Sequence, residues 1–205
     1  MMLTEADQEF VAAYLGQSVA AARAYAADPA QTALLAAMTG VVVDAFRAGG
    51  KLLIAGNGGS AGDAQHIAGE FTGRMLYNRD PLPAVALTTD TSALTAIGND
   101  YGFDLVFERQ VIGLGRPGDV VMGMSTSGNS PNVLRALDAA RARGMATLGF
   151  AGATGGAMAG RVDLLLCAPS ALTPVIQQIH MVAAHILCSL VERALFPEGA
   201  RPLVA

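Results

Sequence analysis

Lys51-Leu52-Leu53-Ile54-Ala55-Gly56-Asn57-Gly58-Gly59-Ser60-Ala61 is the stretch on which the fold turns. A short apolar run breaks off into glycines and small polar residues, and a helical pattern follows. Apolar runs without polar alternation read as strands buried on both faces, and the glycines mark a tight strand-to-helix turn. The same rhythm recurs at 84–88, 120–124, 146–150 and 164–167. Such alternation of short strands with helical stretches predicts βαβ units, hence a three-layer α/β sandwich with a five-stranded parallel sheet of Rossmann-like type.

Upstream of residue 51 the period changes to that of a helix. Thr4 followed by Glu5 and Asp7 has the form of a helix start, and Phe10, Val11, Tyr14, Leu15 and Val19 follow at helical spacing. A second helix is expected from Asp28-Pro29, through Leu34, Leu35, Met38, Val42 and Phe46, to Gly49-Gly50. No linker, repeat or low-complexity tract interrupts the chain, so 1–205 is expected to be one domain, with 1–50 as a helical extension. Ala12, Ala13, Ala20, Ala21, Ala22, Ala26 and Ala27 make faces that permit close helix approach but bury little area in a monomer, which points to oligomerisation through this extension.

Composition removes several classes of function. The chain is 52% hydrophobic and 15% charged, enough to bury a core without disulfides. Its net charge of −4 and lack of any basic run argue against direct nucleic-acid binding. Lys51 is the single lysine, so Schiff-base chemistry is not expected. Cys167 and Cys188 lack metal-site or redox spacing and read as buried reduced thiols. The N-terminus is acidic rather than basic-then-apolar, and the longest uncharged stretch, 164–191, contains prolines, glutamines and histidines. A cytoplasmic protein with no membrane span is the expectation.

Ligands of such sheets bind beyond the carboxyl ends of the strands. Two loops there carry unusual chemistry: Gly56-Asn57-Gly58-Gly59-Ser60-Ala61 after the first strand and Ser125-Thr126-Ser127-Gly128-Asn129-Ser130 after the third. Glycines admit close backbone approach, hydroxyls donate hydrogen bonds, and a following helix N-terminus favours negative charge, so each suits a phosphate or a sugar hydroxyl. Gly56, Gly58 and Ala61 also fit G-x-G-x-x-A, with Asp90 after the next strand, which makes a dinucleotide site a competitor. Against it, the next helix would turn His66 and Glu70 toward the sheet, where an unbroken apolar face is needed. The nucleotide P-loop is excluded because neither loop contains a lysine.

His66 and Glu70, four apart on a helix, project from one face and can grip one metal or one substrate. Thr173-Pro174 begins a long apolar helix bearing Gln177, His180 and His185. Gln177 and His185 differ by about 80° in azimuth and can face one site, whereas His180 points away from His185. Imidazole, carboxylate and amide oxygen form a plausible zinc set. The same residues suit proton transfer between adjacent carbons of a hydroxyaldehyde, where a base reaches one face and an acid stabilises the enediolate.

Read in order, the GNGGS loop, the helix from His66 through Glu70 to Arg74, the segment Gly98-Asn99-Asp100-Tyr101-Gly102-Phe103, the STSGNS loop and Ile176-Gln177-Gln178-Ile179-His180 resemble the phosphoheptose isomerases of the sugar isomerase (SIS) family. The resemblance covers nearly the whole chain. It implies a SIS domain that isomerises sedoheptulose 7-phosphate to D-glycero-D-manno-heptose 7-phosphate, the first step toward the heptose of lipopolysaccharide core, in a homotetramer with one zinc per subunit. It implies that His66, Glu70, Gln177 and His185 hold the metal and that Glu70 and His185 are catalytic. Asn57, Gly58, Gly59, Ser60, Glu70, Asn99, Asp100, Ser125, Thr126, Ser127, Ser130 and Gln177 would bind substrate, the serine loop taking the phosphate. Departures from the family pattern are Val175 and Gln178 in place of Arg and Glu around Ile176-Gln177, and Gly69 in place of a glutamate. A relative of different function, the DnaA initiator-associating regulator, lacks the catalytic acid and second histidine; a non-catalytic regulator is the alternative.

Overall fold

A computed structural model describes residues 2–200. Two leading helices, α1 (Glu5–Ala27) and α2 (Pro29–Arg47), precede β1 (Leu52–Gly56). Then follow α3 (Gly59–Thr72), β2 (Ala84–Ala86), α4 (Thr91–Tyr101), α5 (Val106–Leu114), β3 (Val120–Ser125), α6 (Pro131–Ala142), β4 (Ala146–Ala151), β5 (Leu164–Cys167) and α7 (Thr173–Leu195). The leading helices start where their caps dictate. Thr4 and Asp7 form a reciprocal capping box, and the Asp28 side chain accepts from the Ala30 N–H ahead of Pro29. β2 is shorter than the apolar run 84–88 predicts, because Thr88 and Thr89 turn their hydroxyls to the carbonyls of Ala61 and Ala86.

All five strands are parallel, in the order β2-β1-β3-β4-β5. Alternate residues feed opposite faces. Leu52, Ile54, Met122 and Phe150 pack with α2, α3 and α7, while Leu53, Ala55 and Val121 pack with α5 and α6. Residues buried on both sides explain the continuous apolar runs. By length and composition α2 and α7 would each cross a bilayer, yet both lie against the sheet with their apolar sides in the core. Cys167 and Cys188 are free thiols.

The sheet order places the site. β1 lies between β2 and β3, so the chain leaves its carboxyl end in one direction and that of β3 in the other. Gly56 pairs in register with Met124, which brings the two small-residue loops side by side at a topological switch point.

α1 is the least integrated element. Only Ala21 and Tyr25 of its residues are buried. Most of the alanines expected to mediate close approach are exposed, and the exposed apolar stripe is formed instead by Val11, Leu15 and Val19, flanked by Phe10 at 68% exposure.

Candidate active site

The two loops and the start of α7 enclose a cavity of about 280 Å³ lined by Asn57, Gly58, Gly59, Ser60, Met124, Ser125, Thr126, Ser130, Thr173 and Gln177. Ser127 stands beside it. Ser125 Oγ lies 2.9 Å from Ser130 Oγ and 3.4 Å from Ser127 Oγ, so three hydroxyls form one cluster with donors to spare. The loop is held from outside: Ala157 N donates to Asn129 Oδ1 at 2.8 Å and Met158 N to Gly128 O at 3.0 Å. Gly128 adopts a φ of +68°, and a Cβ there would collide with the Gly155 backbone. Only glycine lets these two loops meet so closely.

Helix ends show what the cavity is for. α1, α2 and α4 have side-chain caps from Thr4, Asp28 and Asp90. α3, α5, α6 and α7 begin without a side-chain cap hydrogen bond, and three of these starts contribute to the cavity lining, through Gly58, Ser130 and Thr173. The N–H groups that open α3 suit an anion, and α6 and α7 add the positive ends of their dipoles, although each has a proline in its first turn and Val133 N is taken by Asn132 Oδ1. Asp90, which a dinucleotide site would turn to a ribose, caps α4 here by accepting from Ala93 N at 2.9 Å.

Farther along α3 and α7, His66 Nε2 lies 2.9 Å from Glu70 Oε1 and 3.1 Å from His185 Nε2. One ligand atom from each of these three residues falls within 4.8 Å of the others. A single ring nitrogen cannot donate to both neighbours, so the three lone pairs converge without enough protons to join them. Ligands about 2.0–2.1 Å from a tetrahedral zinc stand about 3.4 Å apart. The observed spacings are close to that, and the donor set fits a divalent cation of zinc type. Asp63, a turn before His66 on the same side of α3, has its pKa raised by burial, opposed by the charge of His66.

His66 and Glu70 do not face the sheet, contrary to the sequence expectation. Ala64, Ile67, Ala68 and Phe71 make an apolar face toward the core, and the pair lies beside it, facing α7, with the His66 side chain 50% exposed. What disfavours a dinucleotide is the cap that Asp90 makes on α4, not this helix. Gln177 is lodged at the cavity end, where a Cβ on Gly59 would collide with its carboxamide. The Asn57 carboxamide borders the cavity but makes two reciprocal bonds with that of Asn132, at 2.8 and 2.9 Å. Asn99 and Asp100 bond each other on the exposed end of α4 and do not line the cavity. His180 is fully buried; its Nε2 contacts Ala151 O at 3.0 Å, and burial lowers its pKa. Asn132 was not legible in the sequence, since nothing marks an asparagine in the first turn of a helix as the partner of one 75 residues away.

Known proteins share this sequence pattern and fold. The SIS domain model matches residues 14–152. A phosphoheptose isomerase from a Bradyrhizobium species is 54% identical over 196 residues, covering 96% of this chain and 99% of that one. One from a Roseiflexus species is 58% identical over 168 residues, 82% of this chain and 85% of its own. Among solved structures, the phosphoheptose isomerase from Neisseria gonorrhoeae superposes with a TM-score of 0.83 at 45% identity over 90% of this chain and 98% of that one. The Francisella tularensis enzyme gives 0.86 at 34% identity, over 93% and 100%. The fold and site define a SIS domain protein acting on a phosphorylated sugar. Within that class, the chain belongs to the phosphoheptose isomerase family.

Proposed function

We propose that this protein is an aldose–ketose isomerase converting sedoheptulose 7-phosphate to D-glycero-D-manno-heptose 7-phosphate through an enediolate, in the cytoplasm, at the entry to lipopolysaccharide heptose synthesis. The observation that carries the reading is the convergence of His66, Glu70 and His185 on α3 and α7, two helices whose first turns line the cavity.

Ser125, Thr126, Ser127 and Ser130, with the N–H groups beginning α3 and the N-terminal dipoles of α6 and α7, hold the phosphate. Gly58 and Gly59 let the sugar approach the backbone, Ser60 supports that turn, and Asn57, fixed by Asn132, sets its shape. Glu70 accepts the proton from C1, the C–H electron pair becomes the C1=C2 bond, and the C2 carbonyl oxygen takes the negative charge. His185, on the opposing helix, protonates that oxygen; return of a proton to C2 and loss of the O1 proton then complete the aldehyde. A divalent cation, zinc by its donors, would be held by His66, Glu70 and His185 with Gln177 as candidate fourth ligand, and when bound it polarises the two oxygens.

We place the enzyme in a homotetramer, supported by the exposed Val11, Leu15 and Val19 stripe, which a monomer leaves in water. Incubation with sedoheptulose 7-phosphate followed by NMR should show the aldose accumulating to equilibrium, and light scattering should give four times the 20.9 kDa chain mass. Absence of turnover with zinc supplied would favour a non-catalytic regulator, and a monomer at micromolar concentration would remove the tetramer.

A further inference from the structure

Behind the triad lies a buried ion pair that no part of the reaction described above uses. The side chains of Arg79 and Glu192 are each 1% exposed, with Arg79 Nε donating to Glu192 Oε1 at 3.1 Å. Arg79 also donates through one terminal nitrogen to Glu70 O at 2.7 Å, and through the other to Phe71 O at 2.6 Å and Gly73 O at 3.1 Å. These are carbonyls at the C-terminal end of α3, which the helix itself cannot satisfy. Glu192 stands on α7 two turns beyond His185, on the same side, and accepts from Met75 N at 3.1 Å and Leu76 N at 2.8 Å.

The pair thus joins the two elements that carry the triad. One end grips the backbone of Glu70 itself, and the other is fixed to the helix of His185. We propose that Arg79, through Glu192, is a positioning residue for the isomerase site: it sets the separation of the Glu70 carboxylate from the His185 imidazole. The proposal rests on the function proposed above. Burying two charges is costly, and an apolar pair of similar volume stabilises a fold as well or better. What an apolar pair cannot do is hold the carbonyls of Glu70 and Phe71 in fixed directions, as the planar fork of arginine does. A displacement of about 1 Å at reacting groups costs on the order of 100-fold in rate.

Arg79→Lys and Glu192→Gln, each made in the full-length chain, are compared with wild type. Three quantities are measured: thermal unfolding, zinc affinity of the metal-free protein by competition with a chromophoric chelator, and kcat and KM for sedoheptulose 7-phosphate. Both variants should fold and keep KM within about twofold, since the anion cavity is untouched, while zinc affinity and kcat each fall about 10- to 100-fold, the usual size for loss of an outer-shell partner. If Arg79→Lys does not fold, Glu192→Gln decides by the same readouts. Wild-type zinc affinity and kcat in a folded variant would overturn the proposal, and so would unfolding of both, which would make the pair a stability element only. A wild-type protein that neither binds zinc nor isomerises the sugar would instead refute the proposed function, and this proposal with it.

Discussion

The two ends of the α3–α7 helix pair are built in opposite ways. At the cavity end, donors are in surplus: serine hydroxyls clustered on Ser125, and three helix starts without side-chain caps. At the triad end, acceptors are in surplus: two imidazole nitrogens and a carboxylate oxygen crowd together with too few protons between them. A surplus of donors binds an anion and leaves its protons alone. A surplus of acceptors binds a cation or removes a proton. The proposed function puts substrate phosphate and reacting carbons at different ends, so variants at the two ends should separate binding from turnover.

The largest expected effect is at Glu70. Glu70→Gln keeps the shape and an oxygen able to ligate, but the amide cannot accept the carbon-bound proton, so kcat should fall about 10²- to 10⁴-fold. KM should change little because the cavity is intact. Isotope exchange at C1 provides the direct check, since the variant should lose solvent exchange in proportion to kcat. Near-normal exchange would return the His66–Glu70 pair to an ordinary helix-surface contact, worth a few tenths of a kcal/mol.

Ser130→Ala tests the other end and should give the reverse pattern. Removing one hydroxyl that bonds a charged phosphate costs about 1.5–3 kcal/mol, so KM should rise about 10- to 100-fold with kcat nearly unchanged. Inorganic phosphate should weaken as an inhibitor by a similar factor. A kcat effect larger than the KM effect would mean that the two ends are not independent.

Much of this division was legible in the sequence, for local reasons. Thr4, Asp28-Pro29 and Gly49-Gly50 bound α1 and α2 because caps act within a few residues, and the apolar runs marked every strand because a doubly buried strand has no polar face. Glycine and serine content announced both loops. Sheet order was not legible, since nothing in β1 states that β2 and β3 flank it. Nor was the direction in which His66 and Glu70 face, because the apolar set Ala64, Ile67, Ala68 and Phe71 lies partly on small residues that a search for large side chains passes over. Arg79, Asn132 and Glu192 were invisible for another reason: each pairs with a side chain 75 to 113 residues away. The family resemblance named Asn99 and Asp100, yet one chain alone leaves them apart from the cavity.

The smallest expected effect concerns His180, which shares α7 with Gln177 and His185 but belongs to neither end. It is fully buried against Phe150 with Nε2 at Ala151 O, and burial holds its pKa below the ordinary 6.5. In the unfolded chain the imidazole takes up a proton as pH falls through 6.5, while the folded protein resists until its lower pKa is reached. The unfolded state therefore binds more protons in that window, and stability must fall with falling pH there, by at most about 1.4 kcal/mol per pH unit, then level off once both states are charged. His180→Gln keeps a donor for Ala151 O and removes the titration. Denaturant unfolding from pH 7.5 to 5 should show a shallower acid loss for the variant than for wild type, while KM and the Ser130 effect stay as they were. Parallel curves would mean that His180 is accessible enough to protonate in the folded state, and that α7 is less firmly seated on β4 than its burial implies.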